Sequence, residues 1–186
     1  MPIMQLTKPA IAPQFRMRCA DQGGQMNVEI VAAQSAGDYS IARGMFDEYA
    51  RELGVDLCFQ DFSSELANLG TMYAPPAGRL LLAIGDGQIV GCVGVRRWSE
   101  SACEMKRLYV RAIARGLGVG RRLAEASIEA ARELGYETML LDTLTTMAAA
   151  QALYRSLGFR ETAPYYSNPL PQVTYMKLNL SRLRSA

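Results

Sequence analysis

The sequence predicts a mixed α/β (α+β) domain in which a mostly antiparallel central sheet of about six to seven strands carries helices on both faces. Three observations support this fold class. Apolar and alternating segments dominate the first half, the dipeptide Asp86-Gly87 between two of them predicts a tight hairpin, and the second half follows a strand, helix, strand order. Strands followed by such a crossover give a mixed sheet with helices on its faces.

Length and composition favour one globular domain behind a short extension. The chain has 186 residues, 49% hydrophobic and 20% charged, which is enough to bury a core without disulfides or metals. Residues 1 to 25 hold three prolines and a Gly-Gly pair without a regular period, so we expect an irregular extension and a domain at 26 to 186. No apolar run approaches about 20 residues, and prolines interrupt any signal peptide. We therefore expect no membrane partner.

Charge and residue usage exclude several classes of function. The formal net charge of +2 gives no global field for nucleic acid, so we expect no such partner. Histidine is absent, which excludes Ser-His-Asp and Cys-His nucleophiles and argues against a zinc site, so no metal is expected. The four cysteines form no CxxC pair and are Cys19, Cys58, Cys92 and Cys103. We therefore expect these cysteines to be reduced thiols and the protein to be cytoplasmic.

The first half of the chain predicts one strand, two helices and three consecutive antiparallel strands. The segment NVEIVAA alternates as a strand does, and the next helix spans about 36 to 53 and ends at Gly54, a natural C-cap. A second helix is expected from about 61 to 69. RLLLAIG and QIVGCVGVRRW then form the hairpin, and EMKRLYV adds a third strand.

The second half alternates helices and strands. A helix from 120 to 134 ends at Gly135. Its shared face carries Leu123, Ser127, Ala131 and Leu134. The strand ETMLLDTL follows, then a helix from about 147 to 157 capped by Gly158, and GFRETA and QVTYMKLNL close the sheet.

The sharpest motif is the glycine-rich loop at 115 to 120, Arg-Gly-Leu-Gly-Val-Gly, between a strand ending at Val110 and an amphipathic helix. The first amides of a helix have no intrahelical partner and lie at the positive end of its dipole, so a phosphate docked there satisfies both. Glycines let the backbone approach that phosphate closely. An ordinary flexible turn is the alternative interpretation.

Two other phosphate-binding motifs fail on spacing. A Walker A loop requires Gly-Lys-Ser/Thr, whereas this loop continues into Arg121-Arg122. A dinucleotide fingerprint could use Asp142 as its ribose-binding acid, but GxGxxG would need glycine where Arg121 or Leu123 stands.

Three segments in order, EMKRLYV, Arg-x-x-Gly-x-Gly at 115 to 120 and ALYRSLGFRE at 152 to 161, resemble the GNAT N-acetyltransferase superfamily. The resemblance extends from 26 to 180. It implies the GNAT fold with a strand-helix-strand core that binds coenzyme A. It also implies transfer of an acetyl group from acetyl-CoA, as co-substrate, to an amine.

The resemblance implies two sets of contacts with the co-substrate. Loop amides would bind the pyrophosphate, and the end of the preceding strand would pair by backbone with the pantetheine arm. The implied cofactor-binding residues are Leu108, Tyr109, Val110, Arg115, Gly116, Leu117, Gly118, Val119, Gly120 and Arg121.

Tyr154 matches the tyrosine that protonates the departing thiolate in proteins that this chain resembles. A phenol with a pKa of about 10 stays protonated near neutrality and can donate a hydrogen bond before it donates a proton. The alternative is that Tyr154 belongs only to a core stripe with Met147, Ala150 and Leu157. Many members have asparagine where Met147 stands, which puts one contact with the co-substrate in doubt.

Glu104 lies eleven residues before Arg115, the spacing at which some members place the carboxylate that deprotonates the acceptor. An alkylamine with a pKa near 10 needs such help at neutral pH, since its protonated form cannot attack a thioester. A surface cross-strand ion pair involving Lys106 or Arg107 is the alternative for Glu104. Many relatives pass the proton along waters instead.

The acceptor is expected to be a small-molecule or peptide amine. The segment from 43 to 65 has an excess of acids that could favour a cationic acceptor or simply form solvated helix faces. These acids are Asp47, Glu48, Glu52, Asp56, Asp61 and Glu65. Tyr165 and Tyr166, in the turn-rich loop PYYSNP, could border the acceptor or pack over the sheet.

We expect direct transfer in a ternary complex, because Cys92 and Cys103 fit strand interior and have no histidine beside them. One alternative is a non-catalytic acyl-CoA-binding module that senses the co-substrate or tethers a partner. Another is a homodimer formed through a strand edge, with the glycine-rich loop as an ordinary turn.

Overall fold

The computed structural model describes residues 26–55, 57 and 60–181. The predicted extension at 1 to 25 lies outside these residues, as do Cys19, Asp56 and Cys58. Within the described part, no helix is both long and apolar enough to cross a lipid bilayer.

The described residues form seven strands, five α-helices and a short 3-10 turn at Ala112–Ala114. The strands are β1 (Val28–Ala32), β2 (Arg79–Gly85), β3 (Gln88–Arg97), β4 (Ala102–Val110), β5 (Thr138–Leu144), β6 (Arg160–Glu161) and β7 (Val173–Asn179). The helices are α1 (Ala36–Leu53), α2 (Phe62–Ala67), α3 (Leu69–Met72), α4 (Val119–Glu133) and α5 (Ala148–Ser156).

The strands form one sheet in the order β1-β2-β3-β4-β5-β7-β6. All neighbours pair antiparallel except β4 and β5, which are parallel and are joined through α4. The predicted mixed, mostly antiparallel sheet of six to seven strands is confirmed, and so is the hairpin at Asp86-Gly87 between β2 and β3.

Local signals fix both ends of α1. Ser35 accepts a hydrogen bond from the backbone N–H of Asp38, whose carboxylate accepts one from the N–H of Ser35, so two N-terminal amides are satisfied reciprocally. Gly54 ends the helix at φ 66°, a left-handed conformation that glycine adopts without strain. The predicted bounds of this helix are confirmed.

The prediction of a single continuous helix from 61 to 69 is wrong, because the chain forms two helices, α2 and α3, with a break at Asn68. The Asn68 side chain donates to the Ser64 carbonyl oxygen at 2.8 Å. Asparagine competes in this way with the backbone for hydrogen bonds and so favours a helix end. The break turns the chain and leaves Glu65 on the buried side of α2.

Helices cover both faces of the sheet, as predicted. On one face α4 buries Leu123, Ser127 and Ala131, and α5 packs beside it through Tyr154. On the other face α1 and α3 cover β2 and β3. The core residues there include Met45, Phe46, Leu69, Tyr73, Leu80 and Leu82. Cys92 and Cys103 are free thiols inside the sheet.

A buried ion pair joins α2 to the middle of β4. The register between β3 and β4 shifts opposite Arg107, whose φ of 58° marks a β-bulge. The Arg107 guanidinium donates to both Glu65 carboxylate oxygens, at 2.5 and 3.3 Å, and the Tyr73 hydroxyl also donates to Glu65. Burial alone would raise the pKa of Glu65, but the charge and hydrogen bonds of Arg107 hold that pKa below its usual value.

Replacing Arg107 with methionine should lower the free energy of unfolding by about 3–5 kcal/mol, because it leaves the Glu65 carboxylate buried without a cation. Urea unfolding would measure the change. The matched control is Arg155→Met, because the ion pair of Arg155 with Glu161 is half-exposed and should contribute less than about 1 kcal/mol. Equal losses in the two variants would contradict the structural importance of the buried pair.

Candidate functional site

The two parallel strands of the sheet separate soon after they meet. β4 and β5 pair at only three positions, from Ala102 opposite Thr138 to Glu104 opposite Leu140. Beyond Glu104, β4 continues along β3 and β5 continues along β7. A cleft lies between the separated strands, and its walls also include residues of α1 and α5. Its lining includes Tyr49, Leu53, Leu57, Gln60, 105–108, 142–144, Met147, Tyr154 and Leu170.

The predicted cofactor-binding residues of β4 lie on the edge that this separation exposes. Tyr109 and Val110 pair with Cys92 and Gly91 on β3, while their other edge faces away from β3 and has no partner on β5. Leu108, Tyr109 and Val110 are half-buried. A strand edge without a neighbour offers backbone N–H and C=O groups to an extended ligand.

The glycine-rich loop directly precedes α4. Gly116 and Gly118 have φ values of 78° and 76°, and a methyl group added to either would meet no heavy atom within 4 Å. Leu117 is exposed, and Gly118 is the N-cap of α4. The first amides of α4, from Val119 onward, thus lie at the start of the helix dipole beside open space.

The arginines of the loop make contacts with neighbouring elements. Arg115 donates from Nε to the Val110 carbonyl oxygen at 2.8 Å, lies over the Tyr109 ring and forms an ion pair with Glu52 of α1. Arg121 donates to the Ser156 hydroxyl of α5 at 2.7 Å. These contacts hold the two sides of the loop and leave Gly116 and Gly118 exposed.

Tyr154 lines the cleft from α5 and is 7% exposed. Its ring packs edge-on against Phe159, and its hydroxyl makes no hydrogen bond within the part of the chain that the structure describes. Burial raises the pKa of Tyr154 above its usual value, so the side chain stays a neutral phenol at physiological pH. Its proton is available to a group that enters the cleft. Met147 lines the same cleft and accepts a long contact from Thr143.

Glu104 is fully buried at the point where β4 and β5 separate. It forms a cross-strand ion pair with Arg96 of β3 at 2.8 Å, so the expected ion pair exists, but it is buried and not at the surface. Lys106 lies 3.5 Å from the same carboxylate, and Tyr165 donates to it at 2.8 Å. The 162–172 loop, which contacts this carboxylate through Tyr165, helps to bury it. The residues next to Glu104 in the sequence do not predict that contact.

A second polar cluster lines the cleft and was missed from the sequence. Lys106 donates to Asp142 at 2.9 Å, and Tyr166 and Gln60 donate to the other carboxylate oxygen at 3.1 and 3.5 Å. A charged residue within the apolar strand TMLLDTL was the available signal. Sequence reasoning considered Asp142 only as a ribose-binding acid.

Three of the six acids of the segment from 43 to 65 are paired with arginines that lie outside this segment. Glu48 forms a bidentate pair with Arg111, Glu52 pairs with Arg115, and Glu65 pairs with Arg107. Three of the acids therefore connect α1 and α2 to β4 and the loop after it. These three acids are therefore not free to bind a cationic acceptor.

The tyrosines of the 162–172 loop pack over the sheet. Tyr165 and Tyr166 form an aromatic cluster with Tyr175 and with Trp98, which is 40% exposed. The hydroxyls of Tyr165 and Tyr166 reach Glu104 and Asp142, respectively. The interpretation that they pack over the sheet is confirmed, and contact with an acceptor stays a prediction.

Comparison with known proteins identifies the family. Residues 42–159 match the family described as the acetyltransferase (GNAT) family. The chain belongs to this family. It is 44% identical to a protein of Schizosaccharomyces pombe named as an uncharacterized N-acetyltransferase, over 84% of this chain and 97% of that protein. It is 38% identical to an IAA acetyltransferase of Azospirillum brasilense, over 65% of this chain and 78% of that one.

Solved structures share the GNAT fold. A GNAT-family acetyltransferase of Staphylococcus aureus aligns with a TM-score of 0.67 at 22% identity, over 83% of this chain and 99% of that one. A putative acetyltransferase of Salmonella typhimurium, solved with its cofactor acetyl-CoA, aligns with a TM-score of 0.61 at 22% identity, over 84% and 95% of the two chains. The predicted GNAT fold is confirmed, and this neighbour binds acetyl-CoA.

The described residues fit such a ligand in two respects. The open space at Gly116 and Gly118 leaves room for a phosphate at the N-terminus of α4. The cleft between β4 and β5 continues from an unpaired strand edge, which suits an extended pantetheine arm.

Replacing Gly118 with alanine should weaken acetyl-CoA binding about tenfold, because the methyl group occupies the space through which a phosphate approaches the amides. The matched control is Gly87→Ala, at φ 81° and also in open space, but in the hairpin turn. Both variants should lose about 1–2 kcal/mol from backbone strain. Isothermal titration calorimetry should show weaker binding only for Gly118→Ala, and equal affinities would contradict a phosphate site at this loop.

Proposed function

We propose that this chain transfers an acetyl group from acetyl-CoA directly to a primary amine of a small molecule or peptide within a ternary complex. The observation that carries the proposal is the cleft between β4 and β5, which has the hydroxyl-bearing Tyr154 on one wall and the free edge of β4 on the other. Family membership and relatives named N-acetyltransferases support the same chemistry.

In the proposed binding mode, the backbone amides from Gly116 to Arg121 hold the pyrophosphate, and Arg115 and Arg121 keep the loop in place through Glu52 and Ser156. The edge formed by Leu108, Tyr109 and Val110 holds the pantetheine arm. Leu117 and Val119 contribute backbone amides on either side of Gly118. The thioester would then lie near Tyr154.

The reaction breaks one C–S bond and forms one C–N bond. The neutral amine attacks the thioester carbonyl carbon, the amine nitrogen loses one proton, and the departing sulfur gains one. Tyr154 hydrogen-bonds the sulfur as negative charge develops on it and supplies that proton. Because burial raises the pKa of Tyr154, its hydrogen bond precedes full proton transfer, and the proton released by the amine restores the phenol.

Replacing Tyr154 with phenylalanine should lower kcat about 100-fold and leave the Kd for acetyl-CoA within twofold, because general acid catalysis contributes about 10²–10⁴-fold. Steady-state kinetics of thiol release and calorimetry give the two values. The matched control is Tyr136→Phe, a buried tyrosine bonded to the Ala77 carbonyl oxygen away from the cleft, which should retain kcat. A fall in binding equal to the fall in kcat would contradict the acid role.

Glu104 remains our proposed base for the step before attack: it takes one proton from the bound alkylammonium through the Tyr165 hydroxyl that contacts it, and this proton is separate from the one that the nitrogen loses during transfer. Burial and the Glu104 charge raise the pKa of Tyr165, so its phenol stays protonated. It can therefore relay a proton only by accepting one as it donates its own. Two cations, Arg96 and Lys106, lie beside the Glu104 carboxylate. Glu104 would take its proton through the hydrogen bond that the Tyr165 hydroxyl already donates to it.

Replacing Glu104 with glutamine should lower kcat/KM about tenfold or more below pH 8, where most of an alkylamine is protonated, and less at pH 10. The pH profile of kcat/KM measures this, and Tyr165→Phe should share it. An equal loss at every pH would show that Glu104 acts only by holding Arg96 and Lys106 in place.

A non-catalytic acyl-CoA-binding module on the same fold is the second candidate. The buried Tyr154 hydroxyl favours the enzyme, because a binding module does not require a proton donor in the cleft. Release of free thiol from acetyl-CoA with a panel of primary amines distinguishes the two. Background release from a protein that binds acetyl-CoA would support the binding module.

A further inference from the structure

Among the described residues that line the cleft, one buried amide oxygen has no hydrogen-bond partner. Gln60 lines the cleft beside Asp142, and its Oε1 atom is buried without a hydrogen bond. Buried amide oxygens are normally hydrogen-bonded, and an orphan in a cleft calls for a donor from a ligand. The atom that would satisfy Gln60 is therefore an N–H or O–H group brought into the cleft.

The surrounding bonds fix which end of the Gln60 amide carries the oxygen. Its Nε2 lies 3.0 Å from the Tyr166 hydroxyl and 3.5 Å from Asp142 Oδ2. Tyr166 gives its single hydroxyl proton to Asp142 at 3.1 Å and accepts from Asn168 at 2.9 Å. Nε2 must therefore point towards these acceptors, because in the reversed amide the Gln60 oxygen would face the Asp142 carboxylate, and two acceptors would meet without a donor. Oε1 is left as the free acceptor.

Asp142 adds negative charge to the same place. It is 12% exposed, and its two oxygens take three donors, from Lys106, Tyr166 and Gln60. A carboxylate has about four acceptor positions, so one is left. Burial opposes ionisation of Asp142, but Lys106 and the hydrogen bond from Tyr166 hold its pKa below the usual value, which keeps it anionic at neutral pH.

We propose that Gln60 Oε1 and the Asp142 carboxylate together bind the amino group of the acceptor, which makes these two side chains acceptor-specificity residues. The inference rests on the proposed acetyl transfer at this cleft. An amino group supplies two or three N–H donors, which matches one orphan amide oxygen and one carboxylate. Tyr154 lines the same cleft, so an amine held there lies beside the proposed proton donor.

The charges of the cleft also select against one class of amine. Lys106 and Arg107 are the cations among its described lining residues, and each is already paired, with Asp142 and Glu65. A carboxylate next to the amine would find no unpaired cation there and would lie close to Asp142. Apolar walls from Leu53, Leu57 and Leu170 instead suit an aryl or alkyl group. The acceptor class is therefore a primary amine with an apolar body and no α-carboxylate.

Binding measurements test the site without requiring turnover. Phenethylamine would be titrated by calorimetry into the full chain with coenzyme A present, in the wild type and in two near-isosteric variants, Gln60→Met and Asp142→Asn. Each variant should bind phenethylamine about tenfold or more weakly, because Gln60→Met removes a hydrogen-bond acceptor and Asp142→Asn removes the negative charge that attracts the ammonium group. The matched control, Gln88→Met, lies on the exposed hairpin and should bind as the wild type does.

Two further readouts keep the outcomes separate. Thermal unfolding and the Kd for acetyl-CoA should be unchanged in Gln60→Met, which shows that the fold and the donor half are intact. Unchanged phenethylamine binding in both cleft variants would overturn the inference. So would binding of phenylalanine as tight as that of phenethylamine, because phenylalanine adds only the α-carboxylate.

Failure of the proposed function can be distinguished from failure of this inference. If the wild type binds phenethylamine through Gln60 and Asp142 but releases no thiol from acetyl-CoA with it or with tyramine, the amine site stands and acetyl transfer to this class is refuted. If thiol release proceeds and both variants keep the wild-type KM for the amine, acetyl transfer stands and the assignment of the two residues is overturned.

Discussion

The three-residue pairing between β4 and β5 is the constraint on which the rest of the structure depends. β4 is paired with β3 as far as Val110, and β5 with β7 as far as Leu144, so each strand follows its antiparallel partner and the two diverge. Their facing edges are left without strand partners beyond Glu104. Unpaired edges inside a fold require another hydrogen-bonding partner, and the cleft at this position is where a ligand supplies one.

Paired charges hold the walls of that opening in place. Arg107 reaches from the bulge of β4 to Glu65, while Arg111 and Arg115 reach across to Glu48 and Glu52 of α1. The first pair is buried and the others are half-exposed, so the first contributes most to stability and the others mainly orient α1. Asp142 is the acid among the described residues that line the cleft, so the negative charge available to an acceptor is concentrated there.

Features with local causes could be predicted from the sequence, whereas features with tertiary causes could not. The end of α1 at Gly54, the Asp86-Gly87 hairpin and the loop before α4 each depend on a residue type that one backbone conformation requires. The positions of Lys106 and Arg107 depend instead on the bulge in β4. Adjacent in sequence, they pair with acids on different elements, Asp142 and Glu65, and no local pattern specifies those partners. The burial of Glu104 depends in the same way on Tyr165, which lies 61 residues away along the chain.

The same distinction separates the two halves of the site. The donor half uses backbone amides and an open strand edge, so its sequence signature is glycine at positions of positive φ. Such a signature lies in one short segment and can be recognised from the sequence. The acceptor half uses side chains from α1, β4, β5 and the segment near Gln60, which meet only when the sheet has closed around the cleft. Backbone recognition is indifferent to most side chains, whereas one substitution at Gln60 or Asp142 would change which amine fits. Relatives can therefore share the donor half in full and still differ in the amine they accept.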